Sequence, residues 1–189
     1  MSNTEGNIVT IQPEIWKDVV GYGGYYEVSD MGRVRSVDRT VEHQGGTKNL
    51  RGRIRKPGPD AGGYPMVCLY LDGKPKPHRV HRLVALAFLG EPVEGRNDVD
   101  HINGVVDDNS VENLRWASRS ANQLNQHSIR ARSGVTGVYY NADRIKNPWS
   151  ASIKIDGRPT YLGSFATIEE ATEARRVAHE AALSDALAA

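Results

Sequence analysis

Val99-Asp100-His101-Ile102-Asn103-Gly104, followed by Asn113-Leu114-Arg115-Trp116 and then by Asn122, decides the fold of this chain. It sets a carboxylate beside an imidazole, with a carboxamide twelve residues after His101 and another twenty-one after it. One carboxylate, one imidazole and a further oxygen ligand suffice to hold a hard divalent cation and activate a water, the chemistry that cuts a phosphodiester bond. Each residue type is common; their order and spacing carry the weight.

Residues 99–102 read as a short strand, and Asn103-Gly104 is a strong turn signal. Polar Asp107-Asp108-Asn109-Ser110 continues the loop, residues 113–116 return as a second strand, and Ser118 is a good N-cap for a helix through Asn122 toward Ser128. On a regular strand Asp100 and His101 point to opposite pleat faces. Asp100 can then hold a metal, with Asn122 adding an amide oxygen, while His101 addresses a water. An imidazole of ordinary pKa, about 6.5, is a workable base at neutral pH. Asn113 is expected across the hairpin from His101, where a hydrogen bond would fix the ring. His127 is an alternative last ligand. It lies about 140° around a helix from Asn122, so the two cannot both face the site, and spacing favours Asn122. Asn125 and Gln126 are nearer that face and are possible supporting groups. An amide in place of an imidazole favours one Mg²⁺ or Mn²⁺ over Zn²⁺.

Outward from this unit, charge is strongly segregated although the net charge is only +1. Between residues 31 and 82 twelve Lys/Arg face four acids, between 91 and 112 seven acids face only Arg96, and between 115 and 158 eight bases face two acids. An acidic stretch holding the candidate site between two basic ones suits a protein that grips a polyanion. The apolar content of 39%, with two Phe, favours small modules over one large core. The single cysteine, Cys68, excludes an intrachain disulfide and a thiolate zinc site, which points to a reducing, cytoplasmic setting. No signal peptide or membrane span is expected, because the first eleven residues contain no apolar run.

Toward the N-terminus, residues 1–13 are expected to be a disordered tail and 41–49 a polar loop. Gly21, Gly23 and Gly24 read as turn glycines, since no apolar strand precedes them and no Lys-Ser/Thr follows. Residues 50–56 alternate, which would put Arg51, Arg53 and Arg55 on one strand face. That face suits a phosphate backbone or, equally, a charge-protected edge strand. Residues 64–71 and 76–80, joined by Asp72-Gly73, read as a hairpin leading into a helix over 81–89 that ends at Gly90. His81 sits beside an apolar stripe and reads as structural. Toward the C-terminus, residues 137–141, 149–155 and 158–163 read as three strands. Thr167-Ile168-Glu169-Glu170 is a capping signature for an alanine-rich helix over 171–183. Three strands with a helix across one face make a compact module.

Asp100-His101, Asn113 and Asn122 together resemble the HNH (ββα-metal) nuclease motif in the variant whose last His is Asn. The flanks Val80-His81-Arg82-Leu83-Val84-Ala85 and Val111-Glu112-Asn113-Leu114-Arg115-Trp116 resemble HNH homing endonucleases of phages and introns. The resemblance implies that Asp100 and Asn122 bind one divalent metal, that His101 activates water, and that Asn113 supports the hairpin. Residues 14–36, with Ile15-Trp16-Lys17-Asp18 and Gly32-Arg33-Val34-Arg35-Ser36, resemble the NUMOD4-like module found ahead of such nucleases. Residues 133–181, with Gly134-Val135-Thr136-Gly137-Val138 and Tyr161-Leu162-Gly163-Ser164-Phe165, resemble an AP2-type DNA-binding domain, whose sheet lies in the major groove. DNA contacts are then expected from Arg33, Arg35, Arg51, Arg53, Arg55, Arg144, Lys146, Lys154, Arg158 and Tyr161, and from Trp149, which could equally be core.

The expected architecture is a modular α+β chain. It has a tail (1–13), a basic NUMOD4-like module (14–60), a central ββα-metal nuclease (61–130) and an AP2-like three-stranded sheet with one helix (133–183). The expected function is metal-dependent, site-specific nicking of double-stranded DNA by a monomer, in the cytoplasm of a bacterial host if phage-encoded. The alternative is a sequence-specific DNA-binding regulator whose nuclease motif is vestigial.

Overall fold

The computed structural model describes residues 13–125 and 133–188. Residues 1–12 of the expected tail, Gln126, His127 and the helix end expected toward residue 128 lie outside the described residues. The chain divides into two compact units, Met1–Phe88 and Leu89–Ala189.

The strands of the first unit are β1 (Trp16–Asp18), β2 (Tyr26–Ser29), β3 (Val34–Ser36), β4 (Arg39–His43), β5 (Gly46–Leu50), β6 (Ile54–Arg55), β7 (Gly58–Pro59), β8 (Pro65–Leu71) and β9 (Lys74–Arg79). They form an antiparallel sheet β1-β2-β3-β6, a β4-β5 hairpin and a sheet β7-β8-β9. Asp72 (φ 51°) and Gly73 (φ 75°) make the two-residue turn between β8 and β9, where both central residues need positive φ. Helix α1 (Val80–Val84) follows and widens into a π turn over Ala85–Leu89 before Gly90 stops it. Val28, Leu69 and Val84 are fully buried, each burial favouring folding by roughly 1.5–3 kcal/mol before entropy. His81 is buried and meets Tyr64 edge to face at 5.1 Å, a packing role.

Two expectations fail in this unit. Residues 41–49 are no loop: β4 and β5 pair from Arg39↔Leu50 to His43↔Gly46. This ribbon is largely exposed on both faces, so it has no apolar alternation to read, and its backbone ladder defines it. Nor do residues 50–56 form one strand carrying Arg51, Arg53 and Arg55 on a face. The chain bends at Gly52, whose N–H donates to Asp38 Oδ1 at 2.5 Å; the Ser36 N–H donates to the Arg53 carbonyl, and the Arg53 N–H to Ser36 Oγ. A Cβ at Gly52 would overlap the Ser36 carbonyl oxygen, so only glycine permits this approach. Leu50 ends β5 on β4, and Ile54–Arg55 pairs separately, on β3.

In the second unit β10 (Asp98–His101) pairs antiparallel with β11 (Leu114–Ala117), and α2 (Arg119–Asn125) follows. Ser118 Oγ accepts the Ala121 N–H, as an N-cap should. Then β12 (Val138–Tyr140), β13 (Trp149–Ile155) and β14 (Arg158–Phe165) form a sheet in that order, covered by α3 (Ile168–Ala188). Thr167 Oγ1 accepts the Glu170 N–H while Glu170 Oε2 accepts the Thr167 N–H, the reciprocal bonds of a capping box. The ββα element and the C-terminal module share one core: Leu124 of α2 packs with Ile153 of β13 and Ala182 of α3. His179 Nε2 donates to the Leu124 carbonyl at 2.7 Å, satisfying an open end of α2. Among the described residues, no helix is long and apolar enough to cross a membrane.

Candidate active site

β10 ends in the two reactive side chains because the loop after it is tied down by amides. Asn103 N–H donates to Asn113 Oδ1 at 2.9 Å, and Asn113 Nδ2 donates to Asn103 Oδ1 (3.0 Å) and to the Asp108 carbonyl (2.8 Å). Asn103 Nδ2 reaches Asp108 Oδ2 at 2.8 Å. The Ser110 hydroxyl and N–H, then burial acting the other way, then Asn103 and the nearby His101, leave the Asp108 carboxyl below its ordinary value. Asn113 lies in a short 3-10 turn, Val111–Asn113, and not on β11; the residue opposite His101 is Leu114. Its amide is therefore spent on the loop. The hydrogen bond at His101 Nε2 comes instead from Asn109 Oδ1, 3.2 Å away. Asn109 Nδ2 already donates to the Asp107 carbonyl at 3.1 Å, so its oxygen faces the ring. Asn109 thereby offers an acceptor to the imidazole at Nε2.

Asp100 and His101 are both buried and alternate in the pleat as expected. Arg115, directly across the ladder from Asp100, donates Nε and Nη2 to Asp100 Oδ2 at 2.8 and 2.7 Å. Asn125 Nδ2 lies 3.0 Å from Asp100 Oδ1, 3.2 Å from Oδ2 and 2.7 Å from the His101 carbonyl. Asn122 is half-buried on the same helix, three residues earlier. Three residues correspond to about 60° around the helix axis from Asn125, and of the two only Asn125 bonds to Asp100 and His101. Arg115 and Asn109 were not anticipated from the sequence. The Asp100↔Arg115 pairing would follow from the correct register, but nothing local marks Asn109.

No cluster of three or more His, Cys, Asp or Glu able to hold a metal occurs among the described residues. The donors expected from the sequence, a carboxylate of Asp100 and the amide oxygen of Asn122, are few, hard and oxygen-only. They fit a cation that keeps most of its waters, such as Mg²⁺ or Mn²⁺, and do not fit a closed zinc site.

The basic residues fall into distinct settings. Arg33 pairs with Glu14 and Arg35 with Glu27, and both guanidiniums lie over the Trp16 ring, Arg35 at 4.1 Å. The Arg33 bond and charge keep the Glu14 carboxyl below its usual value despite some burial. Arg51 and Arg53 are exposed and Arg55 half-buried. In the C-terminal sheet Ala151 and Ile153 face α3, so Ser150, Ser152 and Lys154 face out, and Tyr161 with them opposite Ser152. Tyr161 Oη and Arg144 both bond Ser164 Oγ, and these contacts lower the Tyr161 phenol. Lys146 and Arg158 are exposed. Trp149 shares the parity of Ala151 and packs on the Val138–Ala151–Ala171 cluster, so it belongs to the core side and not to the outer face.

The chain is 40% identical over 115 residues to the DNA endonuclease I-HmuI of Bacillus phage SP01, covering 60% of this chain and 58% of that protein. It is 34% identical over 121 residues to the uncharacterized HNH endonuclease L247 of Acanthamoeba polyphaga mimivirus, covering 61% of this chain and 26% of that one. A solved structure, "DNA binding and cleavage by the HNH homing endonuclease I-HmuI", aligns with a TM-score of 0.48 at 37% identity, over 59% of this chain and 56% of that chain. The chain thus spans somewhat over half the length of the first relative and about a quarter of the second. Residues 14–70 match the NUMOD4 motif, and residues 78–124, the stretch containing Asp100, His101, Asn113 and Asn122, match the HNH endonuclease family.

Proposed function

We propose that this chain is a metal-dependent DNA endonuclease of the HNH homing type that nicks one strand of a duplex at a preferred site. The observation that carries this reading is the buried Asp100-His101 pair at the end of β10, oriented by Arg115, Asn125 and Asn109 inside the segment that matches the HNH family.

Asp100 and Asn122 would hold one Mg²⁺ or Mn²⁺. Bound there, the ion supplies electrostatic stabilisation of the phosphate and of the leaving 3′ oxygen. His101 takes a proton from water as it attacks phosphorus in line, while Asn109, within hydrogen-bond reach of Nε2, helps to hold the ring. Asn113 acts through the loop. The C-terminal module is an AP2-like reader whose outer face offers Arg144 and Tyr161 to DNA, with Lys146 and Arg158 at its edges and Lys154 on the stretch of β13 that runs past β12. Arg51, Arg53 and Arg55 of the first unit contact phosphates, and Arg33 and Arg35 do so once their acidic partners yield. With one site per chain the protein acts as a monomer and cuts one strand.

The test is a plasmid-nicking assay with Mg²⁺ or Mn²⁺, with EDTA and with His101→Ala. Nicking by the wild type that is lost with EDTA and in the variant, with gel-shift binding retained, supports the reading. Intact supercoiled DNA beside retained wild-type binding overturns it and favours the regulator with a vestigial motif.

A further inference from the structure

The second unit holds a second cationic feature, apart from Asp100 and His101. A cavity of about 400 Å³ opens where α2, the edge of the C-terminal sheet and α3 come together, lined among others by Gln123, Tyr139, Ser152, Lys154 and Arg175. No carboxylate lines it. Among the described residues neither Lys154 nor Arg175 makes a salt bridge, whereas Arg176, next in sequence, is paired with both Glu173 and Glu180. Arg175 Nε is buried and has no hydrogen-bond partner among the described residues. Burial disfavours its charged form, and the phenol of Tyr139 is the group set against that. The position is built around this side chain. A Cβ at Gly137 would overlap the Ser152 carbonyl oxygen and come within 2.9 Å of Arg175 Nε, so glycine there leaves the room the guanidinium occupies.

A partly desolvated guanidinium without an anion is unfavourable, and a buried polar group left open needs a partner. Two cations with amide and hydroxyl donors around a polar cavity match a tetrahedral oxyanion: the guanidinium offers a fork and the ammonium a point charge.

We propose that this cavity binds a backbone phosphate of the DNA, clamped by Arg175 and Lys154. The inference rests on the endonuclease reading and extends it. Gln123 of the cavity adjoins Asn122 of the candidate active site on α2. A phosphate seated at the cavity would anchor the strand on the unit that also carries His101. Such a contact is independent of base sequence.

The test measures duplex affinity by fluorescence anisotropy across a KCl series, for the wild type, Arg175→Gln and Lys154→Gln, with melting temperature as the folding control. Each substitution is expected to weaken binding roughly tenfold, the scale of one charge-assisted contact, equally for cognate and random duplexes. If both side chains hold one phosphate, either alone still neutralises it, so the slope of log K against log salt should fall by about 0.9 only in the double variant. Lys154 is exposed, so Lys154→Gln carries the test if Arg175→Gln proves unstable. Wild-type affinity and slope in the folded variants overturn the clamp and leave the endonuclease reading standing. A wild-type chain that binds no duplex removes both.

Discussion

Asn125 Nδ2 sits between both carboxylate oxygens of Asp100, at 3.0 and 3.2 Å, and the carbonyls of His101 and Ile102, at 2.7 and 3.3 Å. Four acceptors around one amide nitrogen fix the amide orientation, because reversing it would set oxygen against oxygen. Asn125 is thus a donor that positions Asp100, a different role from the cation ligand proposed for Asn122.

This division predicts opposite pH behaviour for two substitutions at one position. Asn125→Ala removes donors from a buried carboxylate and should cost about 1–3 kcal/mol in urea unfolding, with little pH dependence of its own. Asn125→Asp places a second carboxylate against Asp100. Two like charges at that distance raise one pKa above its unfolded value. The variant should therefore be less stable than Asn125→Ala at pH 8 and regain stability as pH falls. Equal pH profiles for the two would show that Asn125 does not face Asp100 in solution.

His101 and Asn109 should separate chemistry from positioning. His101→Ala is expected to lower single-turnover nicking by about 10²–10⁴-fold, the usual worth of a general base, with DNA affinity kept. Asn109→Ala leaves the base but removes one restraint on the ring. The expected loss is about tenfold, with a shift of the acid limb of the pH–rate profile, because a hydrogen-bond partner of Nε2 is removed. Asn109→Asp should restore rate by again offering an acceptor at Nε2. A rate loss in Asn109→Ala with an unmoved pH profile would mean that Asn109 serves only the loop.

How much of this could be read from the chain depends on what kind of signal each feature leaves. Asn103-Gly104, Asp72-Gly73, Ser118 and the Thr167–Glu170 capping pair act locally, and each marks its turn or helix start in the structure. The β4-β5 ribbon was not legible, because a hairpin exposed on both faces carries no apolar period. Residues 50–56 do have the alternation of a strand, yet the approach of Gly52 to Ser36, fourteen or more residues away, breaks it. The same contrast holds in the site. The spacing of Asp100, His101 and Asn122 is a property of the sequence. The groups that orient them, Arg115 across the ladder and Asn109 within the loop, depend on register and on a 3-10 turn that displaces Asn113 from the strand.

Arg115 and a divalent cation would compete for Asp100 Oδ2, which already accepts both Arg115 bonds. Arg115→Gln therefore has two expected effects of opposite sign. Stability without metal should fall, because a buried carboxylate loses its cation. Affinity for Mn²⁺, titrated calorimetrically without DNA, should rise severalfold, and saturating Mn²⁺ should recover much of the lost stability by mass action. Unchanged Mn²⁺ affinity in Arg115→Gln would mean that the cation does not use this oxygen.

The first unit carries its own pH dependence through His78. Tyr22 Oη lies 2.9 Å from His78 Nε2, and the rings meet edge to face at 5.3 Å. Burial first, and then the charge of Lys76, hold the imidazole below its ordinary value. A base with a lowered folded-state pKa binds fewer protons folded than unfolded in the window between the two values. Its contribution is complete above the unfolded value of about 6.5 and is lost as pH falls through the lower folded value. Thermal melts between pH 8 and pH 5 should therefore show a decline that is smaller in His78→Gln, which keeps a hydrogen-bonding group for Tyr22 but cannot take up a proton. The difference between wild type and variant isolates this group from the carboxylates that titrate lower. If the two melting curves stay parallel across that range, protonation of His78 is not linked to folding.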